Sequence, residues 1–147
     1  MPDKPRLQQQ ETEYSCGPAS LRMILESHGV SKTEAELRKL TGCTVLGTTP
    51  PNIVLAARAL GFLETRKYYL NLEELSEQLS SGIYPIVCIG VQFDSDVRPQ
   101  PHCAVVTVVS ETRVELLDPW RGECSISIEE FLQEWSYDRG LTILVER

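Results

Sequence analysis

The sequence predicts an α+β domain in which N-terminal helices pack on one side of a C-terminal antiparallel sheet. Two features carry that expectation. Residues 17–82 break into capped segments of helical period, and residues 84–146 break into short β-rich runs. With 147 residues, 41% of them hydrophobic and 24% charged, the chain has the size and composition of one globular domain, taken as 1–147.

Each element has its own signal. Pro18 stands in a first turn and Gly29 is a stop. Leu21, Ile24, Leu25 and His28 recur at helical spacing between them, which predicts a helix over 17–28. Ser31 and Glu34 have capping-box spacing and Gly42 follows EAELRKL, so a second helix is expected over about 32–40. Thr49 and Pro50 open a third through NIVLAARAL, closed at Gly61. LETRKYY (63–69) alternates weakly and reads as an edge strand. Asn71 with Glu74 opens a fourth helix that ends near Gly82. Strands follow at YPIVCIGV (84–91), HCAVVTVV (102–109), RVELLD (113–118) and LTILVE (141–146), with Ser127 and Glu130 capping a short helix before the last. Residues 1–13 and about 92–101 are the weakly structured stretches.

Charge narrows the function. Fourteen Lys and Arg face 21 Asp and Glu, a formal net charge of −7, and phosphate neutralisation needs the clustered cations this chain lacks. A peptide or small molecule is the expected partner, with no nucleic acid. No apolar run approaches the ~20 residues that span a bilayer, and MPDKPRLQQQETEY is too polar for a signal peptide. The expected location is the cytoplasm. The odd, scattered set Cys16, Cys43, Cys88, Cys103 and Cys124 contains no CxxC pair, so neither a disulfide framework nor a metal ribbon is expected.

Cys16 directly precedes the Gly17 and Pro18 that begin the first helix. A thiol there meets the positive end of the helix dipole and unpaired amides, both of which favour thiolate. Gly17 lets a substrate or the chain approach closely. The partner imidazole comes from a hairpin. If Val109 pairs with Arg113 across a three-residue loop, Val108 faces Val114, Val106 faces Leu116, and one face is apolar. Ala104 then lies opposite Asp118, which makes His102 its diagonal neighbour, ~7 to 8 Å away at the backbone and within side-chain reach. The carboxylate can hold one ring nitrogen and leave the other for a thiol. His28 is read as structural, a cation in the last turn of its own helix, ~18 Å along the axis from Cys16.

With Gln10 six residues before the cysteine of SCGPASLRMIL, then GTTPPNIVLAARALGF, PHCAVV and LLDPWRG, the sequence resembles the bacteriocin-processing cysteine peptidases that cleave double-glycine leader peptides. The resemblance implies a papain-like fold with Cys16 as nucleophile, His102 as general base and Asp118 as the acid orienting it. It also implies Gln10 as the oxyanion donor, with Gln8 and Gln9 as neighbours of the same type. A transporter is implied as a separate partner, because relatives are commonly fused to membrane-spanning and ATP-binding domains that this chain lacks; no cofactor is expected, and the dispersed cysteines give no metal site. The chain starts at Met1 and is expected to be either a stand-alone relative or a domain excised from a longer protein.

The other cysteines are expected to be structural: Cys88 and Cys103 in strands, with Cys103 facing away from His102, and Cys43 and Cys124 in loops. Trp120 either lines a substrate groove or covers the sheet end. Glu11 and Glu13 read as a solvated segment. The expected chemistry is peptide hydrolysis through a thioester. Its rivals are an acyltransferase of the same fold and a non-catalytic peptide-binding module.

Overall fold

The computed structural model describes residues 2–94 and 97–147. Along the chain run α1 (Cys16–Ser27), α2 (Glu34–Leu40), α3 (Pro50–Ala59), β1 (Arg66–Tyr69), α4 (Leu72–Ser80), β2 (Ile86–Val91), β3 (Gln100–Val109), β4 (Arg113–Asp118), β5 (Gly122–Ser127), α5 (Ile128–Trp135) and β6 (Leu141–Leu144). The strands form one six-stranded antiparallel sheet in the order β1-β6-β2-β3-β4-β5.

The helices form where the chain supplies caps. Asn71 accepts from the amide of Glu74 while Glu74 reaches back, and Ser127 accepts from the amide of Glu130, as the spacing predicts. The second helix differs. Its capping box is Thr33 with Glu36, two residues later than Ser31 with Glu34. The shift turns Glu34 inward, where its carboxylate accepts from the Glu11 amide at 2.9 Å and Ser15 Oγ at 3.1 Å and pairs with Arg38. A buried carboxylate needs such donors. This one ties the N-terminal segment to α2.

The sheet is covered on both faces. Leu21, Leu25, Leu37 and Ile53 from the first three helices pack on Cys88, Cys103, Val105, Leu117 and Ile143. The alternate strand residues Val87, Ile89, Ala104, Val106, Val114 and Leu116 meet Leu75 of α4 and Phe131 and Trp135 of α5 on the other side. The one-sided arrangement expected from the sequence therefore holds only for α1 to α3. Every residue of β2 is buried, as a strand sandwiched between helical layers requires.

The β3–β4 hairpin also departs near its turn. Val109 pairs with Val114 and Val108 with Glu115, one residue off the expected register. An irregularity between Val106 and Val108 absorbs the extra residue, after which Val106 faces Leu116 and Val105 faces Leu117 as expected. The bulge turns Val109 rather than Val108 into the core. Strand β5 has no counterpart in the sequence reading, because GECSIS is short, polar and largely outside the core. It places Cys124 in a strand rather than a loop. Of the 92–101 stretch, Gln100 and Pro101 open β3, and residues 95 and 96 lie outside the described residues.

Candidate active site

Cys16 is the first residue of α1, and the side chain of the cap residue Ser15 makes no bond to the first-turn amides. Instead Ser15 Oγ accepts from the Thr12 amide at 3.1 Å and donates to Glu34. The helix end therefore stays open beside the sulfur. At Gly17 an added Cβ would sit 3.0 Å from Ile53 Cδ1, so it is α3 of this chain that uses the close approach.

His102 lies on β3 and Asp118 at the end of β4, both buried, with His102 Nε2 2.7 Å from Asp118 Oδ1. The second ring nitrogen is left for other partners, and Cys16 is near enough for the two groups to influence each other's ionisation. Asp118 Oδ1 also accepts from the backbone amides of Trp120 at 2.8 Å and Arg121 at 3.0 Å, closing the turn after β4. Turn former and imidazole partner are thus one carboxylate.

Burial opposes the imidazolium of His102, but the hydrogen bonds and charges of Asp118 and Cys16 outweigh it and raise its pKa from 6.5 to about 9. Burial likewise opposes the Asp118 carboxylate, and His102 and Arg121 overcome it, holding the pKa at about 2. Cys16 behaves differently from the helix-start expectation. A hydrogen bond with the Cys103 thiol and burial push its pKa well above the ordinary value, against the pull of His102. Cys103 faces the α1 layer, as the period of two predicts, on the side of the sheet where Cys16 packs. Its neighbour across the sheet is Cys88.

Gln10 lines the same cleft as Cys16 and His102, about 670 Å³ in volume, whereas Gln8 binds Glu26 on the back of α1 and Gln9 is exposed. The Gln10 amide group donates one hydrogen to the Thr12 carbonyl at 2.7 Å and has a second to offer, while its Oε1 is buried without a partner. Its backbone amide donates to the Pro119 carbonyl at 3.0 Å, which joins the N-terminal segment to the Asp118 turn.

Trp120 lines the groove and is 48% exposed. Phe93 packs edge-on between it and His102, at centroid distances of 5.9 and 5.2 Å. Val45 and Leu46 from a loop near α3 and Tyr137 after α5 complete the walls. No periodic pattern in the sequence marks these loop residues, nor Phe93. Glu13 reaches the cleft, whereas Glu11 pairs with Arg38 at 3.3 Å and Arg22 at 3.8 Å. His28 caps the end of α1 edge-on to Phe62 at 5.1 Å, and burial followed by Arg147 lowers its pKa, so it is not the cation expected there. Among the described residues no group of three or more His, Cys, Asp or Glu is arranged to hold a metal, and no helix is long and apolar enough to cross a membrane.

Known proteins share this architecture. An uncharacterised protein of Methanothermobacter thermautotrophicus is 32% identical over 139 residues, 94% of this chain and 86% of that one. The lactococcin-A transport/processing ATP-binding protein LcnC of Lactococcus lactis is 32% identical over 129 residues, covering 86% of this chain but only 17% of the transporter. The crystal structure of the peptidase domain of Streptococcus ComA, a bi-functional ABC transporter involved in a quorum-sensing pathway, superimposes with a TM-score of 0.78. It is 29% identical, with 97% of this chain and 98% of that one covered. A double-glycine-motif protease from an AMS/PCAT transporter, solved with its leader peptide, shares the fold at 22% identity and a TM-score of 0.77, with 97% and 91% covered. The profile described as the Peptidase C39 family matches residues 4–147, and the chain belongs to that family.

Proposed function

We propose that the protein is a cysteine peptidase that cleaves leader peptides after a double glycine. The observation that carries the reading is the 2.7 Å contact of His102 with Asp118 beside the cleft that Cys16 and Gln10 also line. Membership of the C39 family and the likeness to the ComA peptidase domain support the same reaction class.

Cys16 and His102 titrate as a pair. Transfer of the thiol proton to neutral His102 places the negative charge on sulfur next to an imidazolium that Asp118 stabilises. The sulfur attacks the scissile carbonyl, forming a C–S bond. The oxyanion is held by the free Gln10 side-chain N–H and the Cys16 backbone amide, donors worth about 10²- to 10³-fold in rate. His102 gives its proton to the departing amine as the C–N bond breaks. Water, deprotonated by His102, then hydrolyses the thioester and restores the thiol. An extended peptide fits a groove walled by Trp120, Phe93 and Leu46.

The chain spans about a sixth of the transporter relatives' length, and a transporter is its proposed partner. The test is incubation of the full chain with a synthetic double-glycine leader peptide and a competing amine. Cleavage after the glycines, lost in Cys16→Ala, supports the reading. An amide product outnumbering the acid at modest amine concentration assigns an acyltransferase instead, and binding without turnover a peptide-binding module.

A further inference from the structure

Outside the cleft, the three nitrogens of one guanidinium are all engaged. Arg121 Nε donates to Asp118 Oδ2 at 2.6 Å, and Nη1 and Nη2 each donate to one carboxylate oxygen of Glu134 at 2.8 Å. The side chains of Arg121 and Glu134 are 25% and 18% exposed. Glu134 belongs to α5, which Phe131 and Trp135 anchor in the core. The fork is therefore braced from the far layer of the sheet.

The Asp118 oxygens are treated unequally. Oδ1 takes His102 and two backbone amides, whereas among the described residues Oδ2 takes Arg121 alone. We infer that Arg121, braced by Glu134, is a positioning residue that fixes the plane of the Asp118 carboxylate and, through it, the ring of His102. The inference rests on the reading of Cys16 and His102 as the reacting pair. It makes the site a chain of alternating charge from sulfur to imidazole, carboxylate, guanidinium and carboxylate, ending on α5. Without the guanidinium, Oδ2 would be an ionised, fully buried oxygen lacking a donor, and it would turn the carboxylate to find one. The groups that bear on His102 are Asp118 and Cys16, and Arg121 reaches it through Asp118.

A mere bracket between β4 and α5 and a positioning role differ at one observable. Removing only the positive charge would raise the pKa of His102, and removing a bracket would leave it unmoved. Loss of the ordered Asp118 contact lowers it. The full chain carries only two histidines, so nuclear magnetic resonance can follow the His102 ring, with His28→Gln as the assignment control. In Arg121→Met we expect the His102 pKa to fall by about 1 to 3 pH units. On the double-glycine peptide, kcat should fall about 10²-fold with KM nearly constant. Arg121→Lys should recover part of both, and Glu134→Gln, which keeps one acceptor for the fork, should move both in the same direction but less. An unmoved or raised His102 pKa in folded Arg121→Met overturns the inference. If that variant does not fold, an unmoved ring in both Arg121→Lys and Glu134→Gln overturns it equally. A wild-type His102 that titrates near 6.5, or turnover retained in Cys16→Ala, instead defeats the underlying reading.

Discussion

The Nε2 of His102 lies 2.7 Å from Oδ1 of Asp118, between side chains that are 4% and 0% exposed. The contact joins the ends of two neighbouring strands, so the register of one hairpin sets it. It also links stability to pH. Asp118 is held at about 2, below its ordinary 3.8, so the stability it contributes is present above about pH 4 and is lost as pH falls through 2. His102 is raised to about 9, so its share is present below 6.5 and is lost as pH rises through 9. Thermal unfolding across pH should show the pair's full contribution between about pH 4 and 6.5, and Asp118→Asn should flatten both limbs. Identical pH profiles for the two proteins would count against the pair.

Gln10→Ala should lower kcat about 10²- to 10³-fold with little change in KM, because the donor acts on charge that develops in the transition state. Gln8→Ala and Gln9→Ala, whose side chains lie outside the cleft, should stay within about twofold of wild type. Steady-state kinetics on one peptide separates the three.

Cys103 pushes the Cys16 thiol up, through a hydrogen bond that Cys103→Ala removes. Iodoacetamide should then label Cys16 about tenfold faster at neutral pH, the effect of one pH unit in thiolate population. Peptide mapping reads the rate at Cys16 apart from the other thiols. A rate no faster than wild type would remove Cys103 from the control of the nucleophile.

Glu34→Ala leaves Arg38, Ser15 and the Glu11 amide without their shared acceptor. Urea unfolding should show a loss of about 2 to 3 kcal/mol. Because the same carboxylate ties the segment carrying Gln10 to α2, kcat should drop as well. A stability loss with unchanged kcat would show that the segment is held by other contacts.

Much of this was legible in the sequence where residue types have one physical meaning. Asn71 with Glu74 and Ser127 with Glu130 marked helix starts because only a side-chain acceptor satisfies those amides. The alternation from Ala104 to Val106 and from Val114 to Leu116 fixed the sheet face that His102 and Asp118 share. What stayed hidden depends on three-dimensional placement. Ser31 with Glu34 and Thr33 with Glu36 offer the same capping pattern, and only burial of Glu34 chooses between them. The unbroken apolar run of β2 carried the signal for two covered faces, although helix order alone suggested one. Arg121 sat in plain view in DPWRG, but its partner Glu134 comes from a different element.

The central claim is that Cys16 is the reactive thiol and that His102 makes it so. A peptide chloromethyl ketone ending in two glycines, incubated with the full chain and mapped by mass spectrometry, should alkylate Cys16 and leave Cys43, Cys88, Cys103 and Cys124 free. The labelling should fall at least about 10²-fold in His102→Ala. Label spread among the cysteines, or equal labelling of Cys16 with and without His102, would contradict it.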